Sequence, residues 1–314
     1  MRIVSLIASA TEIICALGFE EFLVGCSHEC DFPPSVARLP VCTRPRFDVS
    51  GSSREIDERV RALRQQSLAD DALSVYEVFA DRLRELQPTH IVTQTQCEVC
   101  AVSLRDVERA AAEMLHSGVS IISLQPNSLP DVWQDICRVA SGLGATKAGI
   151  SLVADLQRRI EKIESRARPL KTRPALAGIE WIDPLMAFGN WTPELVRTAG
   201  GSSLFGVAGR HSPPFRFDDL AARDPDVILI APCGFTIEQA LRDLPVLESQ
   251  PGWEQLRAVR GGRVYVADGN QYFNRPGPRL VETLEILAET LHPEVFQFGH
   301  EGNGWVRVPG ARQG

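Results

Sequence analysis

The stretch Thr146–Leu170, TKAGISLVADLQRRIEKIESRARPL, reads as one long charged helix and divides the chain into two halves. Val153, Leu156, Ile160 and Ile163 recur at helical spacing and form an apolar stripe, while Arg158, Arg159, Glu161, Lys162 and Glu164 cover the other face. Thr146 can cap its start, and Pro169 and Pro174 stop it. Roughly 23 residues at about 1.5 Å each make a rod of about 35 Å. A rod of that length spans a small domain and can tie two lobes together; an ordinary surface helix is the plainer alternative.

The 314 residues suffice for two lobes with real cores, and 44% apolar with 23% charged residues is ordinary for a soluble globular protein. The net charge of −7 and the lack of a lysine-arginine block argue against nucleic acid and anionic membranes as partners, and no stretch reads as a membrane insertion. MRIVSLIASATEIICALG passes directly into a strand and helix, with no basic segment, separate apolar run and cleavage site. This reading places the protein in the cytoplasm, or outside it if the native N-terminus was trimmed. Its eight cysteines are then reduced thiols rather than a disulfide framework.

Strands alternate with helices on both sides of the long helix. Arg2–Ile7, Phe22–Ser27, His90–Thr93 and Ser120–Leu124 read as strands before it; Ala175–Trp181, Val227–Ala231 and Arg263–Ala267 read as strands after it. Helices are expected at Arg54–Gln66, Val75–Leu86, Val102–His116 and Pro278–Leu291. Leu86-Gln87-Pro88-Thr89-His90-Ile91-Val92 is echoed by Arg223-Asp224-Pro225-Asp226-Val227-Ile228-Leu229, each a helix end, a proline break and an apolar strand. The fold class that follows is α/β: two Rossmann-like lobes with parallel sheets joined by one long backbone helix. The expected divisions are an N-terminal lobe 1–145, the helix 146–170, a C-terminal lobe 171–293 and a tail 294–314.

In parallel sheets, ligands sit beyond the carboxyl ends of the strands. That rule gathers Ser9, His28, Cys30, Cys42, Arg46, Gln94, Gln96, Cys97 and Cys100 from the first half, and Trp181, Asn190, Trp191, His211, Tyr272 and Phe273 from the second. Flat apolar faces with soft donors suit a large planar ligand that contains a metal. The same residues leave two other readings open. His28 and Cys30 with Cys97 and Cys100 make a tetrahedral site for zinc or another transition metal if their loops meet. Cys97 and Cys100, at a strand-to-helix junction, have the spacing of a redox pair, although Glu98 between them opposes thiolate formation. A glycine-rich phosphate loop, a nucleophilic-serine elbow and a His-Glu-x-x-His motif are all missing, so the chain does not read as an enzyme of those kinds. Glu180 and Asp183 read as solvated or capping groups.

The order VSLIASATEIICALG, VGCSHECDFP, LQPTHIVTQ, GVSIISL, a long central helix, FGNWTPELVRTAGG, RDPDVILIAP and GGRVYVADGNQYFNRPGPRLVETLEIL resembles the cobalamin- and iron-chelate-binding proteins of ABC importers, the cobalamin branch most closely. The resemblance covers nearly the whole chain to about Pro293. It implies a corrinoid or related chelate held between the lobes by Ser9–Thr11, His28–Asp31, Cys42–Phe47, Trp181–Trp191, His211–Phe215 and Gln271–Phe273. The macrocycle would be buried among Trp181, Trp191, Tyr272 and Phe273, with His28, Cys30 or His211 as axial or edge contacts. It also implies that Glu55 and Glu194 dock on an ABC permease. The chain departs from the pattern in lacking a leader, in a further helical segment near Arg64–Phe79, and in its CSHEC and QCEVC cysteines. The rival function is a cytosolic metal-binding protein, metallochaperone or thiol enzyme built on Cys30, Cys97 and Cys100.

Overall fold

The computed structural model describes residues 1–67, 75–94 and 118–309. It has the expected α/β architecture, two units with parallel sheets and a long helix, Thr146–Ala167, running from one into the other. Its 22 residues make a rod of about 33 Å. Gly149, Leu156, Ile163 and Ala167 are its buried positions and Val153 and Ile160 are half-buried, so the apolar stripe read from the sequence lies on the packed face.

The first unit comprises residues 1–51, 55–126 and 130–155. Its strands are β1 (Ile3–Ser5), β2 (Leu23–Cys26), β3 (Thr43–Pro45), β4 (Tyr76–Val78), β5 (His90–Gln94) and β6 (Ser120–Leu124). Four of them form a parallel sheet in the order β2-β1-β5-β6. The antiparallel pair β3-β4 stands apart. Here the expectation of a helix over Val75–Leu86 is corrected: Tyr76-Glu77-Val78 is extended, and the helix begins at Ala80. The alternation of these three residues fits a strand, and Arg44 meets Glu77 across the pair at 2.8 Å. Of the further helical segment expected near Arg64–Phe79, Arg64–Ser67 is helical and Tyr76–Val78 is instead the strand β4, while residues 68–74 lie outside the described residues. The helix expected at Val102–His116 lies outside the described residues.

The second unit comprises residues 52–54, 127–129 and 156–314. Its strands are β7 (Ala175–Trp181), β8 (Met186–Ala187), β9 (Ser202–Ser203), β10 (Val227–Ile230), β11 (Val264–Ala267) and β12 (Trp305–Arg307), in the order β12-β11-β10-β7-β8 with β9 beside β7. β7, β10 and β11 are mutually parallel and β10 is wholly buried, which explains its uninterrupted Val-Ile-Leu-Ile. The echo in the sequence has a matching local structure. Gln87 and Asp224 each end a helix in the left-handed region, at φ 45° and 41°, and each N–H reaches back to a leucine carbonyl at 3.0 Å before the proline turns the chain into β5 or β10.

The stretch read as a tail is part of this unit. β12 pairs antiparallel with β11, and Trp305 is 4% exposed, edge-on to Tyr265 at 5.2 Å. Its indole N–H donates to Glu289 Oε2 at 2.7 Å, on the C-terminal helix Leu280–Leu291. Glu289 Oε1 accepts from the backbone N–H groups of Phe298 and Gly299. Trp305→Ala should therefore cost about 3–5 kcal/mol in urea unfolding, and Trp305→Phe, which keeps a ring and loses the hydrogen bond, about 1–3 kcal/mol.

Candidate functional site

In the first unit the loop after β2 carries His28. Its backbone N–H donates to Thr43 Oγ1 at 3.1 Å, and its Nδ1 lies 2.8 Å from the same oxygen. With the Thr43 hydroxyl donating to Ser27 Oγ at 3.2 Å, the proton of the imidazole is assigned to Nδ1 and the lone pair to Nε2. The ring packs on Tyr76, centroids 5.1 Å apart, and burial pushes its pKa down to about 4. His28 is thus a neutral imidazole with a nitrogen free to bind a metal or accept a proton.

Cys30 is buried, with Sγ 3.0 Å from Thr11 Oγ1. A hydrogen bond with Cys26 and burial hold its thiol far above the ordinary range, so it is not a thiolate donor. Cys42 sits in a core with Val4, Leu6, Leu83 and Ile91, where burial pushes it up to about 12. It packs so tightly that a Cβ on Gly25 would fall 2.7 Å from its Sγ. That placement corrects Cys42 as a ligand contact. Ser9, in the first turn of the helix Ala8–Ala16, is buried with its hydroxyl unpartnered, and Gln94 is buried at the end of β5. Arg46 is exposed, its N–H bonded to the Val75 carbonyl at 2.9 Å. Gln96, Cys97 and Cys100 lie outside the described residues, and among the described residues no three His, Cys, Asp or Glu side chains are grouped to hold a metal ion.

In the second unit Trp181 ends β7 half-buried, edge-on to Phe235 at 5.3 Å. Trp191 and Phe273 are 5% and 1% exposed. The Trp191 indole N–H donates to the Phe273 carbonyl at 2.8 Å and Phe273 stacks on Phe188 at 5.2 Å, so this pair braces the loops instead of lining them. The expectation of four aromatic faces around a macrocycle reduces to Trp181 and Tyr272, the latter half-buried with the Arg279 guanidinium 5.4 Å from its ring centre. Asn190 is left-handed at φ 53° and exchanges backbone bonds with the loop that carries His211: its N–H reaches the Arg210 carbonyl and the Gly209 N–H reaches its own. His211 is exposed, and its Nδ1 accepts from the Ser212 N–H at 2.9 Å. With Nδ1 accepting, the proton is assigned to Nε2, where His211 can donate a hydrogen bond.

Glu194 accepts from the Leu129 N–H at 2.8 Å, capping the start of the helix Leu129–Gly142. Its carboxylate is thus partly committed inside the unit. Glu55 is exposed in the first turn of the helix Ser53–Ser67.

Thr43 escaped the sequence reading, and the reading of Glu180 as a solvated or capping group is corrected, since its carboxyl is withdrawn from solvent and caps no described helix. Thr43, which sets the His28 tautomer, gave no signal. Glu180 did give one, as an acid inside the apolar strand ALAGIEW. It is half-buried, accepts a long 3.4 Å bond from the Gly189 N–H, and burial pushes its pKa up from 4.5 to about 7. From pH about 4.5 upward the unfolded chain ionises while the folded one holds its proton, so stability falls until pH about 7. Glu180→Gln removes this slope. The variant should gain on the native protein over that window by a few kcal/mol at most and run parallel to it above, as read by thermal unfolding across pH.

A family model for periplasmic binding proteins matches residues 3–270. An uncharacterised ABC transporter substrate-binding lipoprotein of Bacillus subtilis is 20% identical over 301 residues, 94% of this chain and 81% of the relative. A vitamin B12-binding protein of Vibrio cholerae is 22% identical over 294 residues, 92% of this chain and 88% of its own. The fold is shared with a periplasmic heme-binding protein from Pseudomonas aeruginosa, TM-score 0.72 at 19% identity, covering 99% of both chains. Lipoprotein and periplasmic relatives overturn the cytoplasmic placement inferred from the N-terminus. The chain belongs to the periplasmic binding protein family.

Proposed function

We propose that the protein is the substrate-binding component of an ABC importer, that it is not an enzyme, and that its ligand is a planar metal chelate of the corrinoid or haem class, cobalamin before haem. The observation that carries this reading is His28, a neutral imidazole whose Nε2 lone pair is set by Thr43 and Ser27. Similarity along almost the entire length to a vitamin B12-binding protein supports it. Trp181 and Tyr272 offer ring faces, and the His211 Nε2–H offers a donor for a polar group at the ligand edge. Ser9, Gln94 and Asn190 supply polar contacts, and Arg46 a charge. Docking on the permease is assigned to the face that carries Glu55, with Glu194 contributing through whatever its capping role leaves free.

The metallochaperone reading has less support, because Cys30 is buried against Thr11 and among the described residues no three His, Cys, Asp or Glu side chains are grouped to hold a metal. The experiment is a visible-absorption titration of the purified protein with hydroxocobalamin and with haem, accompanied by metal analysis. Saturable binding near one chelate per chain is expected, with a band shift that His28→Ala abolishes while weakening affinity about tenfold or more. Trp181→Ala should cost about 1 kcal/mol or more, roughly fivefold in Kd. Stoichiometric bound zinc, copper or iron with no response to either chelate would overturn the proposal.

A further inference from the structure

Glu180 occupies the second-last position of β7, at the carboxyl end of the parallel strands of its unit. The backbone around it is fixed from three sides. The Cys233 N–H, on the loop after β10, donates to the Glu180 carbonyl at 3.1 Å. The Ala187 N–H donates to the Pro213 carbonyl at 2.9 Å, and the Asn190 N–H to that of Arg210 at 2.6 Å, which seals the loop Gly209–Phe215 against the β8 turn. A Cβ on Gly189 would meet Ser212 N at 2.4 Å and the Arg210 carbonyl oxygen at 2.8 Å, so the contact between the two loops requires glycine.

Within this wall the carboxyl is poorly satisfied. Among the described residues its one hydrogen bond is the 3.4 Å contact from Gly189, and the buried Ser212 hydroxyl lies near enough to favour the charged form without reaching hydrogen-bond geometry. Among the described residues no cation acts on it and it forms no ion pair. A half-buried carboxyl without a counter-cation is costly to keep and caps no helix here. Such groups concentrate where ligands bind.

We infer that Glu180 reads the rim of the bound chelate, accepting hydrogen bonds from peripheral carboxamide N–H groups and rejecting chelates whose rim carries carboxylates. The inference rests on the chelate-binding reading and sharpens it to a chemical class. Both forms of a carboxyl accept from an amide N–H, whereas its ionised form repels a second carboxylate. Corrinoids are rimmed by carboxamides and haem by propionates, so one side chain separates the two classes. Burial, which raises the cost of an uncompensated charge pair, strengthens the discrimination.

The test uses the full chain and two ligands that differ only at the rim: the diacid and the bis-carboxamide of one iron porphyrin, titrated at pH 8 into the native protein and Glu180→Gln. The native protein should bind the bis-carboxamide about tenfold or more tightly than the diacid. In the variant that ratio should collapse to within about twofold, mainly through tighter binding of the diacid. Equal binding of the two porphyrins by the native protein, or a ratio unchanged in the variant, overturns the rim assignment and leaves chelate binding standing. If the native protein binds neither porphyrin nor cobalamin, chelate binding itself fails and the assignment with it. Should Glu180→Gln not fold, the native ratio decides alone.

Discussion

Parallel pairing is the constraint on which the rest of this molecule depends. A parallel neighbour cannot be reached by a tight turn, so the chain must cross from one end of the sheet to the other between β1 and β2, β7 and β10, and β10 and β11. Within each unit, every such strand therefore ends on the same edge. The loops on that edge have no ladder to satisfy them and must find partners among themselves. In the first unit the answer is side-chain chemistry, with Thr43 serving the His28 backbone, its ring and the Ser27 hydroxyl together. In the second it is backbone chemistry, the exchange between Asn190 and the loop before Ser212. The candidate side chains are thus held by bonds the loops need in any case.

The long helix gains its place in the second unit by charge as well as packing. Arg159 donates to Glu282 at 3.0 Å and Glu285 at 2.9 Å on the C-terminal helix, and Glu285 is bonded in turn to His300 at 2.8 Å. The Glu285 hydrogen bond holds the His300 imidazole above its usual range, and desolvation does not prevent the bonds of His300 and Arg159 from keeping Glu285 below its own. Single exposed pairs contribute little, but a half-buried chain of four groups is stiffer than the sum of its links. It binds the segment after Pro293 to the helix before it, and the Trp305 indole closes the same face through Glu289.

Periodicity made most of this fold legible. The stripe of the long helix, the branched runs of β5, β7 and β10, and the proline echo at Gln87 and Asp224 are all local signals that the packing repeats. The errors arose where partnership is non-local. Tyr76-Glu77-Val78 is a strand because Thr43-Arg44-Pro45 lies beside it, and three residues carry too little pattern to announce that. Trp305 looked like tail because its partners, Tyr265 and Glu289, are some distance away in the sequence. At the site, residue type was visible and atomic role was not. Trp191 and Phe273 have the composition of a ligand face and the contacts of a core.

The two histidines show why composition fails at that level. Both occupy loops of their own units, and both are one imidazole in a sequence. The Ser212 N–H forces the proton of His211 onto Nε2, whereas the Thr43 hydroxyl, by donating elsewhere, draws the proton of His28 onto Nδ1. One presents a donor and the other an electron pair, from partners no further than Ser212 next door and Thr43 fifteen residues on. Depressed basicity completes the difference at His28, because an imidazole with a pKa near 4 stays neutral at any physiological pH and keeps that electron pair available. Each of these states is set by hydrogen bonds made within the histidine's own unit.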